Sequence, residues 1–145
     1  MNKFFKILLI LTFNFLSINL QAIGEETKIR IGLLVPLTGD NSKLGKQIIN
    51  STRMALKDID TDEIEIYPKD TRSDPNQTLL AAIELKQMKI NLVIGPVFHE
   101  NLIYLDEVKD ITFLSLTNKT LDLPQNVISS GVNSKSQFNT IKKFI

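Results

Sequence analysis

The sequence predicts an α/β protein whose core is an open, parallel β-sheet built from βαβ units. Short apolar or alternating segments typical of strands recur along the chain, and segments with helical spacing separate them. The chain has 145 residues, of which 43% are hydrophobic and 23% charged. This is the length and balance of one globular domain.

Residues 1–22 have the features of a cleavable export signal. Lys3 and Lys6 precede an apolar run at residues 7–18, and Leu20-Gln21-Ala22 fits a small-residue cleavage site. The run has about twelve residues, whereas a membrane-spanning helix needs roughly 20, so an uncleaved anchor is the weaker interpretation. We therefore expect a periplasmic protein that meets the membrane only through its signal peptide.

Five later segments are predicted as strands. The first is β-branched and apolar and is followed by Pro36, and the second alternates strictly. The third is a short apolar run of the kind found in strands buried on both faces. In chain order the segments are Lys28–Val35, Glu63–Tyr67, Asn91–Ile94, Ile111–Leu116 and Asn126–Ser129.

Four segments between and after these strands are predicted as helices. The second begins at Asp74-Pro75-Asn76-Gln77, where Asp74 can cap the helix and Gln77 can reach back to it. Residues 99–108 form the third, and Ser134-Lys135-Ser136-Gln137 reads as a capping box that opens the fourth. The predicted apolar sides are Leu44, Ile48, Thr52, Ala55 and Ile59 of the first helix, Leu79, Ala82 and Ile83 of the second, Leu102, Leu105 and Val108 of the third, and Phe138, Ile141 and Ile145 of the fourth.

The composition excludes several classes of function. Removing residues 1–22 changes the formal net charge only from +1 to −1, so nucleic-acid binding is not expected. The lack of Cys excludes thiolate metal sites, thiol catalysis, disulfides and lipid attachment through a thioether. His99 is the single His and lies beside Glu100, but it has no obvious nucleophile to serve as a general base. We expect no catalytic residue, no metal and no cofactor.

The predicted topology favours a binding site at one edge of the sheet. In an open parallel sheet, ligands bind beyond the carboxyl ends of the strands, where loops and helix N-termini present free amides. The loops at these ends carry mainly small or polar residues, and turn chemistry explains about half of them. Because they converge on one edge, we expect binding rather than catalysis. The candidate binding residues are Thr38, Gly39, Pro96, Phe98, His99, Thr117 and Asn118.

Three motifs, in this order, resemble type I periplasmic binding proteins of the leucine-binding kind. Residues 31–39 (IGLLVPLTG) are similar to the opening strand and loop of that family. Asp70 followed by Ser73-Asp74-Pro75 resembles its second crossover, and Val93-Ile94-Gly95-Pro96 is similar to the strand and turn that enter its ligand cleft. The resemblance implies a non-enzymatic binding domain with the open parallel sheet of that fold.

The same resemblance implies a division of the chain. Residues 23–133 correspond to the N-terminal lobe, and residues 134–145 to the start of the crossover to a second lobe. Because the predicted last helix continues to Ile145 without a stop signal, we expect the chain to be a fragment that is truncated before that lobe.

Two segments narrow the resemblance to LpoA-type penicillin-binding-protein activators, which stimulate peptidoglycan synthases through protein contact. They are residues 95–101 (GPVFHEN) and 114–118 (LSLTN). Amino-acid-binding relatives generally place a small hydroxyl residue after the Gly-Pro turn, where this chain has Phe98 and His99. Two functions stay open. One is a regulator that contacts a peptidoglycan synthase; the other is an ABC transporter receptor that docks on a permease and binds a small polar ligand such as an amino acid.

Overall fold

The computed structural model describes residues 28–143, and its central element is a five-stranded, fully parallel sheet. The spatial order of the strands is β2-β1-β3-β4-β5. The predicted α/β class and all five strands are confirmed, with boundaries that differ by at most three residues. The export signal predicted at residues 1–22 lies outside the described residues, as does Ile145. The strands are β1 (Ile29–Val35), β2 (Ile64–Asp70), β3 (Leu92–Ile94), β4 (Thr112–Ser115) and β5 (Val127–Ser129).

Three α-helices accompany the sheet. They are α1 (Ser42–Ile59), α2 (Pro75–Gln87) and α3 (Ser134–Lys142). At the start of α2 the Asp74 side chain accepts a hydrogen bond from the Gln77 amide at 2.8 Å, which confirms the predicted cap. The Gln77 side chain makes no return bond within residues 28–143. Among the described residues, no helix has both the length and the apolarity that crossing a membrane requires.

The main core lies on the α2 face of the sheet. Buried α2 side chains, including Ala82 and Leu85, pack with Leu34 of β1, Val93 of β3 and Phe113 of β4. Of the predicted α2 stripe, Ala82 is buried, Leu79 is partly buried, and Ile83 is exposed.

The packed stripe of α1 agrees with the predicted one only in part: Thr52 belongs to both, and the predicted Ile48 is half-buried. The packed stripe begins at Gly45, where an added Cβ would lie 1.8 Å from the Pro36 carbonyl oxygen. This close approach fixes the rotation of the helix, so Thr52 faces β1 and β2 together with Ile49 and Leu56, which lie beside the predicted positions. The packed residues are Gly45, Ile49, Thr52 and Leu56. The exposed members of the predicted stripe are Leu44, Ala55 and Ile59.

The connection from β3 to β4 is not the single helix predicted over residues 99–108. It forms two 3₁₀ turns, at His99–Leu102 and Leu105–Glu107, although Leu102, Leu105 and Val108 are buried as predicted. Because β3 has three residues and β4 has four, the connection between them has to run back only about 10 Å along the sheet. Ten residues of α-helix would extend about 15 Å, which is longer than this distance.

Helix α3 begins one residue earlier than its predicted capping box. The cap is Asn133, whose side chain accepts a hydrogen bond from the Ser136 amide at 2.9 Å, and the Ser136 hydroxyl accepts one from the Asn133 amide at 3.2 Å. Phe138 and Ile141, on the predicted apolar side of this helix, are 66% and 59% exposed to solvent.

Candidate functional site

The carboxyl ends of the strands meet at one edge of the sheet, as predicted, and backbone hydrogen bonds join their loops. The Leu116 amide, after β4, donates to the Pro96 carbonyl oxygen at 3.0 Å. On the other side of β1, the Thr71 amide donates to the Val35 carbonyl oxygen at 3.0 Å. These bonds join the segments after β3 and β4 to each other and the segment after β2 to the end of β1, all at the same edge of the sheet.

Asp70 connects the end of β2 to the loop after β1. Its carboxylate accepts hydrogen bonds from the Leu37 amide at 2.7 Å, the Arg72 amide at 2.9 Å and the Thr38 hydroxyl at 2.6 Å, with a longer one from the Thr38 amide at 3.3 Å. Partial burial raises the pKa of Asp70, but these hydrogen bonds outweigh it and hold the pKa below its ordinary value. The candidate residue Thr38 thus uses its hydroxyl within the lobe.

Thr117 is also committed to contacts inside the lobe. It is 5% exposed, and its hydroxyl accepts a hydrogen bond from the Lys119 amide at 3.2 Å. Its carbonyl oxygen accepts from the Ser129 hydroxyl at 2.7 Å and from the Gly131 amide at 3.1 Å. A Cβ on Gly131 would lie 2.3 Å from that oxygen, so only glycine permits this approach.

The remaining candidates divide into buried and exposed positions. Pro96 is buried, follows a cis peptide bond and accepts a hydrogen bond from the Ser115 hydroxyl at 3.1 Å, and Phe98 is half-buried. Gly39, with a φ of 77°, and Asn118 are exposed. His99 is exposed and lies 3.3 Å from the Glu100 carboxylate. Within residues 28–143, no group of three or more His, Asp or Glu side chains could hold a metal ion.

The sequence analysis missed a surface groove beside this edge. We call it the crossover groove: the hollow of about 610 Å³ between residues 99–106, in the β3–β4 connection, and residues 119–124, in the β4–β5 connection. His99 is the one candidate residue that lines it. The sequence predicts a helix at residues 99–108 and no regular element at residues 119–124, and only the parallel topology brings the two connections side by side.

Comparisons with known proteins give one family and two kinds of relative. A family model for periplasmic binding proteins matches residues 28–140. No curated protein matches the chain significantly.

Among solved structures, a solute-binding protein of an ABC transporter from Rhodopseudomonas palustris, in complex with 3,4-dihydroxybenzoic acid, is 28% identical with a TM-score of 0.58. The match covers 64% of this chain and 28% of that protein. The C-domain of LpoA from Haemophilus influenzae, described as a regulator of PBP1A, is 23% identical with a TM-score of 0.62. The match covers 79% of this chain and 37% of that domain. The leucine-binding protein LivK from Thermotoga maritima is 21% identical with a TM-score of 0.55. The match covers 61% of this chain and 27% of that protein.

The chain therefore spans about a quarter to a third of the length of these three relatives. The matches to LpoA and LivK, at 21–23% identity, show a shared fold alone. The family model, in contrast, matches most of the described residues and shows the family.

Proposed function

The chain belongs to the periplasmic binding protein family, and from that premise we propose that it is an exported, non-enzymatic regulator that contacts a partner protein. The partner that the LpoA resemblance favours is a peptidoglycan synthase of the penicillin-binding-protein class. In this role the carboxyl edge of the sheet is a structural surface, and it does not enclose a small solute.

One observation carries the proposal: the hydroxyls expected to bind a polar ligand are already used. Thr38 donates to Asp70 at 2.6 Å, and Thr117 is buried with its hydroxyl bonded to the Lys119 amide. A ligand that engaged these groups would first have to break bonds that hold the loops together, which cancels much of the gain.

The side chains after the β3 turn support the same proposal. The sequence resemblance implies that Phe98 and His99 stand where solute-binding relatives keep small residues, and Phe98 is half-buried at this edge. His99 is exposed beside Glu100 and has no Ser or Thr hydroxyl hydrogen-bonded to it among the described residues.

The second candidate is a solute receptor of an ABC transporter. The identity of 28% with the Rhodopseudomonas palustris protein favours it, because the solved complex of that protein holds an aromatic acid. Thr38, His99 and Asn118 are the exposed polar side chains among the candidate residues; because the Thr38 hydroxyl is bonded to Asp70, His99 and Asn118 are the two with which this chain could meet such a solute.

Titration calorimetry distinguishes the two candidates. The full chain is titrated with the common amino acids and with 3,4-dihydroxybenzoate, in parallel with a Thr117→Ala/Asn118→Ala variant. We expect no heat of binding from either protein. Micromolar or tighter binding that the double substitution abolishes would establish the receptor instead.

A further inference from the structure

We propose that the crossover groove binds an extended segment of a partner protein in which basic and large apolar residues alternate. This inference rests on the proposed function, because it assigns the surface through which a partner-contacting regulator would act. The groove lies beside the carboxyl edge and does not overlap the residues that resemble the ligand cleft of solute receptors, apart from His99.

The shape of the groove suits an extended chain. Both connections that form it run from the carboxyl edge to the amino edge of the sheet. A second hollow, of about 690 Å³, continues it as far as Thr112 and Asn126, and the two hollows share Asp106, Leu123 and Pro124. Since β4 has four residues at about 3.3 Å each, this trough accommodates roughly three or four extended residues.

The amino end of the trough is held rigidly. The Asn126 side-chain amide nitrogen donates to the carbonyl oxygens of Leu105 at 2.8 Å, Val108 at 3.0 Å and Ile111 at 3.2 Å. These bonds fix the β4–β5 connection against the β3–β4 connection. A preformed groove loses little conformational entropy when a segment binds.

Apolar side chains line the groove. Leu102 is buried and Leu123 is partly buried against the core, while Tyr104 and Ile103 are exposed at the side. Aromatic and aliphatic residues that remain exposed beside a concave surface are typical of protein contact sites.

The charge of the groove selects a basic occupant. Three carboxylates line the crossover groove, those of Glu100, Asp106 and Asp122, against the ammonium of Lys119, and the hollow that continues the groove adds Lys109. Glu100 lies beside His99, but Asp106 and Asp122 form no ion pair or hydrogen bond through their side chains within residues 28–143. Unpaired acids beside an apolar surface attract Lys or Arg and repel an anionic membrane surface.

The test uses nuclear magnetic resonance of the ¹⁵N-labelled full chain with the peptide acetyl-GKLRFG-amide. We expect saturable amide shifts that cluster at residues 99–106 and 119–124. Two control peptides separate the contributions: acetyl-GQLQFG-amide removes the basic charge and acetyl-GKSRSG-amide removes the apolar side chains, and both should bind at least about fivefold more weakly.

A charge-neutral variant tests the residues themselves. Asp106→Asn with Asp122→Asn should weaken the peptide by about fivefold, and Asn tolerates the positive φ of 52° at position 122. The matched control, Asp58→Asn with Asp62→Asn, removes two exposed acids elsewhere and should leave the affinity unchanged.

Three outcomes would overturn the proposal: no binding of the basic peptide, equal affinity of the Asp106/Asp122 variant and the unaltered chain, or preferential binding of phosphatidylglycerol vesicles at the groove. Peptide shifts that map to Thr38 and Asn118 would overturn it while leaving a partner-contacting function intact. Solute binding in the calorimetry described above, with no peptide shifts, would contradict both the groove proposal and the partner-contacting function.

Discussion

The Asp70 carboxylate accepts a hydrogen bond from the Thr38 hydroxyl at 2.6 Å, and this pair joins the second strand to the loop after the first. Asp70→Asn keeps the shape of the side chain but removes the charge that strengthens four hydrogen bonds. We expect the free energy of unfolding at neutral pH to fall by about 1–3 kcal/mol, measured by denaturant titration. Asp40→Asn, in the same exposed loop, is the matched control and should have little effect.

The lowered pKa of Asp70 also predicts a pH dependence of stability. A carboxyl whose pKa is lower in the folded chain stabilises it fully above the unfolded pKa of about 3.9. That contribution is lost as the pH falls through the folded value. Stability should therefore decrease below about pH 4 more steeply in the unaltered chain than in the Asp70→Asn variant. Parallel slopes in the two proteins would contradict this origin of the shift.

Arg30 joins β1, β2 and the end of α2 through one guanidinium group. It lies 4.8 Å from the centroid of the Tyr67 ring and donates to the Tyr67 hydroxyl at 3.2 Å and to the Met88 carbonyl oxygen at 2.9 Å. A lysine cannot reproduce this planar, two-directional contact. Arg30→Lys should lower the thermal midpoint and cost about 1–2 kcal/mol, whereas Arg53→Lys, on exposed α1 surface, should change neither.

The Asn126 amide nitrogen is surrounded by three carbonyl oxygens, which makes the position intolerant of a carboxylate. Asn126→Asp should destabilise the chain at pH 7 by at least about 2 kcal/mol, because an anion would face three acceptors. The same acceptors raise the pKa of the new carboxyl above its unfolded value of about 3.9, and protonation restores one donor, so the deficit should shrink as the pH falls from 7 to about 4. Denaturant titrations at the two pH values check this. Asn118→Asp, on the exposed edge, should show neither effect.

The apolar side of α3 predicts self-association. Phe138 and Ile141 are largely exposed, and each buried side chain of this kind is worth about 1.5–3 kcal/mol. Phe138→Ser with Ile141→Ser should reduce the weight-average mass in sedimentation velocity while leaving the unfolding free energy nearly unchanged. Asn139→Ala on the same helix is the control. A monomeric unaltered chain at all concentrations would contradict the prediction.

Local sequence patterns predicted the strands because each strand's burial follows from its own composition. β3 illustrates this: a continuous apolar run indicates burial on both faces wherever the strand lies in the sheet. The predicted stripe of α1 was right at Ile48 and Thr52 but wrong at Leu44, Ala55 and Ile59, because the rotation of the helix depends on Gly45 approaching the Pro36 carbonyl oxygen, a contact between two elements. The β3–β4 helix was wrong because the short strands leave little distance to span.

The candidate site shows the same division between local and tertiary information. Sequence reasoning placed Thr38, His99 and Thr117 at one edge, since all follow the carboxyl ends of parallel strands. It could not show that Thr117 is buried, because that depends on Gly131 and Ser129 reaching its carbonyl oxygen from β5 and the loop after it. Whether the seven candidate residues bind anything stays a prediction, as does the division of the chain at residue 133.

The measurement that tests the central claim most directly is the binding of the full chain to the immobilised periplasmic region of a peptidoglycan synthase from the same cell, followed by surface plasmon resonance. The account predicts saturable, salt-sensitive binding that Asp106→Asn with Asp122→Asn weakens and that a large excess of free amino acids or 3,4-dihydroxybenzoate leaves unchanged. No binding to the synthase, together with tight binding of one of these small molecules, would contradict it.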